Sequence, residues 1–180
     1  MTRIIIIAIV SYVAAGIGLK SYRVYKANKL LGQLSYKDWT WDSERLKKRA
    51  EDVRAKVIGA IIARNVDRVK DLITDGLYNR LINRTAEEIG FRINNPFCIV
   101  LSTSIKFVEV TDYKDKSKDS LGVYVTFFSI SFVRGYNVHP PDELWTFVRR
   151  GNEWVVDDID PDADLLDLVR KRTFSEELAQ

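Results

Sequence analysis

The chain has 180 residues, with 28 Lys or Arg against 25 Asp or Glu, a formal net charge of +3, one histidine and one cysteine. That length suits a single domain of ordinary size, and one cysteine excludes both an intrachain disulfide and a cysteine-based zinc site. The basic residues alternate with acids instead of forming an aromatic-studded stripe, so nucleic acid is not an expected partner.

The first feature along the chain is the apolar run Ile4 to Leu19, with Lys20, Arg23, Lys26 and Lys29 directly after it. A helix rises 1.5 Å per residue, so the run reaches about 24 Å, near the short limit for crossing a hydrocarbon core. Three readings compete: a transmembrane anchor, a cleaved secretory signal ending near Val13-Ala14-Ala15, and a buried core helix. The run stays apolar past that cleavage site, which favours an uncleaved anchor over residues 1–20. Basic residues after the run then put the remainder of the chain on the cytoplasmic or matrix side of a bacterial or mitochondrial inner membrane. The expectation is a single-pass membrane protein.

Charge is polarised along the chain. Lys20 to Lys56 holds eleven basic and five acidic residues, whereas Asp157 to Gln180 holds eight acids and three bases. Basic segments beside a membrane gain about 1 kcal/mol per charge from anionic lipid. Lys20 at the end of the anchor and Arg23, Lys26 and Lys29 in a basic linker over 21–41, with Arg45, Lys48, Arg49 and Lys56 beyond it, are therefore the candidate lipid-contacting residues. A topology signal plus a solvated helix face accounts for them equally well.

A domain is expected over 42–160. Asp42 or Ser43 can cap a helix in which Leu46, Ala50, Val53, Val57 and Ile61 recur at three- and four-residue steps, with Ile58 and Ile62 widening the stripe. Asn65 opens a short second helix through Val66, Val69, Leu72 and Ile73, which Thr74-Asp75-Gly76 ends. A third runs from about Leu77 to Ile89, with Gly90 as its left-handed cap.

After Asn94-Asn95-Pro96 the pattern changes to β-branched and aromatic stretches: Phe97 to Val110, Leu121 to Arg134, Glu143 to Arg150 and Glu153 to Ile159. A charged loop over Tyr113 to Ser120, a longer connection over Gly135 to Pro141 and a tight Gly151-Asn152 turn separate them, so the strands pair antiparallel. In the second strand the apolar phase slips between Phe127 and Phe128, which predicts a bulge and a curved sheet. Residues 161–180 are expected as an acidic helix, from about Ala163 to Arg172, and a tail.

Candidate chemistry is sparse. His139 precedes Pro140-Pro141 in a loop and reads as a surface residue, and Cys98 in Phe97 to Leu101 reads as a small core residue. The acids Asp157, Asp158, Asp160, Asp162 and Asp164 lack the order of a calcium loop and suit a helix start. No phosphate-binding glycine loop or Ser/His/Asp set is visible, so no catalytic residue, metal or cofactor is assigned. Tyr78, Phe91, Phe127, Trp145, Phe147 and Trp154 could line an opening that receives an apolar ligand or a partner's side chain; core packing is the competing reading.

Two segments carry a family resemblance. Ile62-Ala63-Arg64-Asn65-Val66-Asp67-Arg68-Val69 with Leu72 to Tyr78 is one, and Leu144-Trp145-Thr146-Phe147-Val148-Arg149-Arg150 with Glu153 to Ile159 is the other. Together they resemble the Tim44-like domain family within the NTF2-like superfamily. The family's Gln-x-Ala-Trp is replaced here by Ile58-Gly59-Ala60-Ile61. The resemblance implies an α+β cone of three helices on a curved four-stranded antiparallel sheet. It also implies non-enzymatic scaffold work: docking on anionic lipid and on a protein partner of a membrane complex, as in protein translocation or complex assembly. The alternatives are a small-molecule or lipid-binding cone, such as an isomerase or dehydratase, and an extracytoplasmic assembly factor of a secretion system.

Overall fold

The computed structural model describes residues 2–82, 84–89, 98–131 and 141–163. Its helices are α1 (Thr2–Ser35), α2 (Ser43–Ile62), α3 (Asp75–Leu81) and α4 (Ala86–Ile89), and its strands β1 (Cys98–Thr111), β2 (Ser120–Ser131), β3 (Glu143–Arg150) and β4 (Glu153–Asp160). The chain is thus α+β, with the strands joined antiparallel in chain order as an open four-stranded sheet. Gly90, Phe91, His139 and the helix expected beyond Ala163 lie outside the described residues, as does the side chain of Cys98.

The expected anchor is corrected. Among the described residues no helix is long and apolar enough to cross a membrane, which overturns the transmembrane helix over 1–20 and the single-pass placement built on it. The apolar run of about 24 Å falls short of a hydrocarbon core of about 30 Å. The same helix then continues without a break to Ser35 through the segment expected as a linker. Its second half is part of the globular core: Ala27, Leu31 and Leu34 are buried together with α2 and the sheet. Val24 packs instead with Val108, Tyr124, Leu144 and Ala163. Tyr124 lies between Val123 and Val125 of the main core, so by strand alternation this second cluster occupies the opposite face of the sheet. Helix α1 therefore straddles β1, an edge strand whose unpaired backbone groups would otherwise invite another strand.

The other edge is also covered. Ile73 forms a parallel bridge to Val156, the Thr74 N–H donates to the Val156 carbonyl at 2.8 Å, and Arg150 Nη2 donates to the Ile73 carbonyl at 3.2 Å. The Thr74 hydroxyl accepts from Leu77 N–H, so Thr74 opens α3 instead of closing the element before it. That preceding element, Val66–Leu72, is a 3-10 helix. The single helix expected over 77–89 is two short ones, α3 and α4.

Helix α2 is capped by Asp42, whose carboxylate accepts from Arg45 N–H at 2.9 Å. It buries Leu46, Ala50, Val53, Val57, Ala60 and Ile61, while Ile62 is half exposed. These side chains share one core with Val123, Val125, Trp145, Phe147 and Val156; each large apolar side chain so buried contributes about 1.5–3 kcal/mol. The bulges lie on β1 and, at Asp157, on β4, not on β2. The register shifts at Val100/Ser102 and Phe107/Glu109 leave Leu101 and Val108 as extra residues on β1. Beside the second bulge a Cβ on Gly122 would lie 2.9 Å from Glu109 Cβ, so only glycine fits there.

Candidate functional site

The aromatic residues nominated from the sequence divide. Trp145, Phe147 and Trp154 are fully enclosed in the core between α2 and the sheet. Trp154 Nε1 donates to the Thr40 carbonyl at 3.2 Å, and its ring meets Trp41 edge-on at 4.8 Å. Phe127 and Tyr78 pack at the margin of that core, and the Tyr78 hydroxyl donates to Asp67 Oδ1 at 2.6 Å. The inner face of the sheet is thus filled by indoles and phenyl rings.

One carboxylate does enter that face. Glu143 is buried and accepts from Arg54 Nε at 2.6 Å, Arg54 Nη2 at 2.8 Å and Trp145 Nε1 at 2.7 Å. The guanidinium also lies over the Phe127 ring. A general base needs a free lone pair aimed at a substrate proton; here a bidentate arginine and an indole hold the carboxylate. A second buried charge cluster ties the turn after α1 to the sheet. Arg149 reaches Asp38 at 2.8 Å, Asp119 at 3.3 Å and the Gly151 carbonyl at 2.9 Å. Burial works to raise the Asp38 pKa, but hydrogen bonds from the Thr40 N–H and hydroxyl, Arg149 and Lys116 outweigh it and hold the carboxyl well below the usual range. The sequence alone does not single out Glu143 and Arg149. Their signal is phase, since both alternate in step with Trp145 and Phe147 along β3.

The basic residues also divide. Lys20 lies 3.8 Å from Asp142 and 4.0 Å from the Tyr124 ring centroid; burial lowers its pKa against the opposing pull of Asp142. Arg23 is half-buried and engaged. Arg49 pairs with Glu153 at 3.2 Å and Lys56 with Asp52 at 2.8 Å, while Arg45 stacks on Trp39 at 4.2 Å. Lys48 is exposed on α2, and Lys26 and Lys29 are exposed on α1.

Lys29 belongs to a larger feature. Gly18, Tyr22, Tyr25, Lys29 and Gly32 of α1 are all exposed, as is Tyr36 just past its end, and the helical five follow steps of four, three, four and three residues, the spacing of a heptad stripe. Tyr22, Tyr25 and Tyr36 are 53%, 64% and 93% exposed. This stripe lies on the side of α1 opposite Ala27, Leu31 and Leu34.

A second concavity lies at the far end of α2. Arg64 N–H donates to the Ile61 carbonyl at 3.1 Å and Asn65 N–H to the Ala60 carbonyl at 2.9 Å. This is the paired bonding of a Schellman ending with Arg64 in the position usually held by glycine. Its φ is 52°, the one positive φ at a non-glycine among the described residues, and a side chain there costs roughly 1–2 kcal/mol. Beside it opens a cavity of about 420 Å³ whose lining includes Arg64, Asn65, Asp67, Leu81, Arg84 and Thr85.

Among the described residues no group of three or more His, Cys, Asp or Glu stands ready to hold a metal ion. The acids closing β4 have structural partners: Asp157 accepts from the Thr74 hydroxyl at 2.9 Å and Asp158 pairs with Arg80 at 2.8 Å. No family model matches the chain, and no curated protein matches it.

Proposed function

We propose that this chain is a non-enzymatic docking module that binds a protein partner along the outer stripe of α1, in keeping with the scaffold role that its Tim44-like resemblance implies. The observation that carries the reading is the exposed pair Tyr22 and Tyr25, in line with Lys29 at heptad spacing, on a helix whose opposite face is locked into the core. Tyrosine offers a large contact area at small entropic cost and is enriched where proteins meet. Lys29 stands within the stripe, Lys26 is exposed on the same helix and Lys37 is exposed just past its end, so the partner that fits is an acidic amphipathic helix. The filled inner face of the sheet and the hydrogen-bonded Glu143 argue against the small-molecule cone.

The test replaces Tyr25 in the full chain with a photoreactive benzoylphenylalanine in cells that make it. A discrete polypeptide adduct is expected that disappears when Lys26 and Lys29 are both changed to Glu, with no such adduct from the same probe at Glu51 on α2. Adducts to lipid alone would transfer the stripe to an anionic membrane surface, and a polypeptide adduct indifferent to the charge reversal would remove the assigned partner chemistry.

A further inference from the structure

The cavity beside the end of α2 is lined by two cations that have no direct partner among the described residues. Arg64 and Arg84 both line it, and among the described residues neither guanidinium is hydrogen-bonded or ion-paired. Two nearby described carboxylates are engaged elsewhere. Glu88 accepts from Thr85 N–H at 2.6 Å; that bond leads in holding its carboxyl below the ordinary value, and the two arginines act on it only through the longer-range field. Asp67 accepts from the Tyr78 hydroxyl. Asn65 and Thr85 add neutral polar groups at the wall, and buried Val66 and Leu81 supply an apolar base beside Ile82.

The backbone adds an independent observation. Arg64 occupies the left-handed residue of the Schellman ending, where glycine would sit without strain. Strain of this kind persists where the surroundings hold it, and it clusters at ligand clamps. The side chain retained at this strained position is one of the cavity's two guanidinium groups.

We infer that this cavity is a binding site for a small oxyanion ligand, a carboxylate or phosphate monoester carried on an apolar group, clamped between Arg64 and Arg84. Guanidinium forks match the paired oxygens of both anions, and the apolar base receives the substituent. The site is separate from the α1 stripe and does not depend on it.

Titration of the full chain with phenyl phosphate and with benzoate, monitored calorimetrically at low salt, tests the assignment. Saturable binding of at least one probe is expected, and the tighter one identifies the class. Arg84→Gln and Arg64→Gly are each expected to weaken it at least fivefold. Arg64→Gly is also expected to melt no lower than the parent, because glycine relieves the left-handed residue, so lost binding cannot be ascribed to lost folding. Failure of both probes to saturate, or less than a fivefold loss in either variant, would overturn the site. A lower melting temperature for Arg64→Gly would remove the strain from which the inference starts.

Discussion

Arg54 and Glu143, 89 positions apart in the chain, meet in a two-pronged contact of 2.6 and 2.8 Å on the inner face of the sheet, fixing α2 to the first residue of β3. The side chains are only 19% and 7% exposed, so the pair is largely desolvated. Removing one member leaves the other charge uncompensated, which in such settings costs about 3–5 kcal/mol. Glu143→Ala should therefore lower stability by about that amount in urea unfolding, since it strands both Arg54 and the Trp145 indole. Changing Arg54 and Glu143 together to Met and Leu should recover much of the loss. A single variant within about 0.5 kcal/mol of the parent, the range of ordinary surface changes, would mean that the contact has no structural weight.

The Asp38–Arg149–Asp119 cluster makes a prediction about acid. Asp38 is held below its ordinary value when folded, so the unfolded chain binds its proton more readily. The stability it contributes is complete above about pH 5 and is lost as the pH falls through about 4 toward the depressed folded value. Asp119 runs the other way: burial raises it, against hydrogen bonds from Tyr113 N–H and Arg149, so its ionisation opposes folding as the pH rises. The two partly offset in the parent. Asp38→Asn should flatten the acid limb of a stability–pH profile between about pH 5 and 2, and an unchanged limb would assign acid sensitivity to other carboxylates.

How much of this is legible in the sequence depends on whether the deciding signal is local. Strand β3 spans Glu143–Arg150 as expected, and the Asp42 cap and inner stripe of α2 follow from spacing alone. Gly151, at φ 64°, makes the expected tight turn. The second half of α1 is hidden although Val24, Ala27, Leu31 and Leu34 already show three- and four-residue steps; the apolar run before them and the lysines among them suggest a tether and a linker. The slip at Phe127 and Phe128 is a real irregularity assigned to the wrong strand. Phe128 points outward and is 64% exposed, while the extra residue sits opposite, at Leu101 of β1. Pairing register is a property of two strands, so one strand's pattern cannot say which carries the bulge. The Arg64–Arg84 cavity leaves no sequence trace, because a left-handed arginine has no compositional signature.

Leu31 decides whether the second half of α1 is structure or tether. It is 1% exposed and belongs to the same core as α2 and the sheet. Truncating a buried leucine removes its transfer free energy and leaves a cavity, a loss of about 2–5 kcal/mol. A linker residue changed in the same way would shift stability by no more than about 0.5 kcal/mol. Leu31→Ala should therefore lower the unfolding midpoint of the full chain clearly, while Gln33→Ala, on the exposed side of the same helix, should leave it in place. The comparison is internal to one helix, so a general loss of helicity would move both variants and only burial separates them. Equal midpoints for the two would return this segment to a tether and detach the tyrosine stripe from the rigid body that presents it.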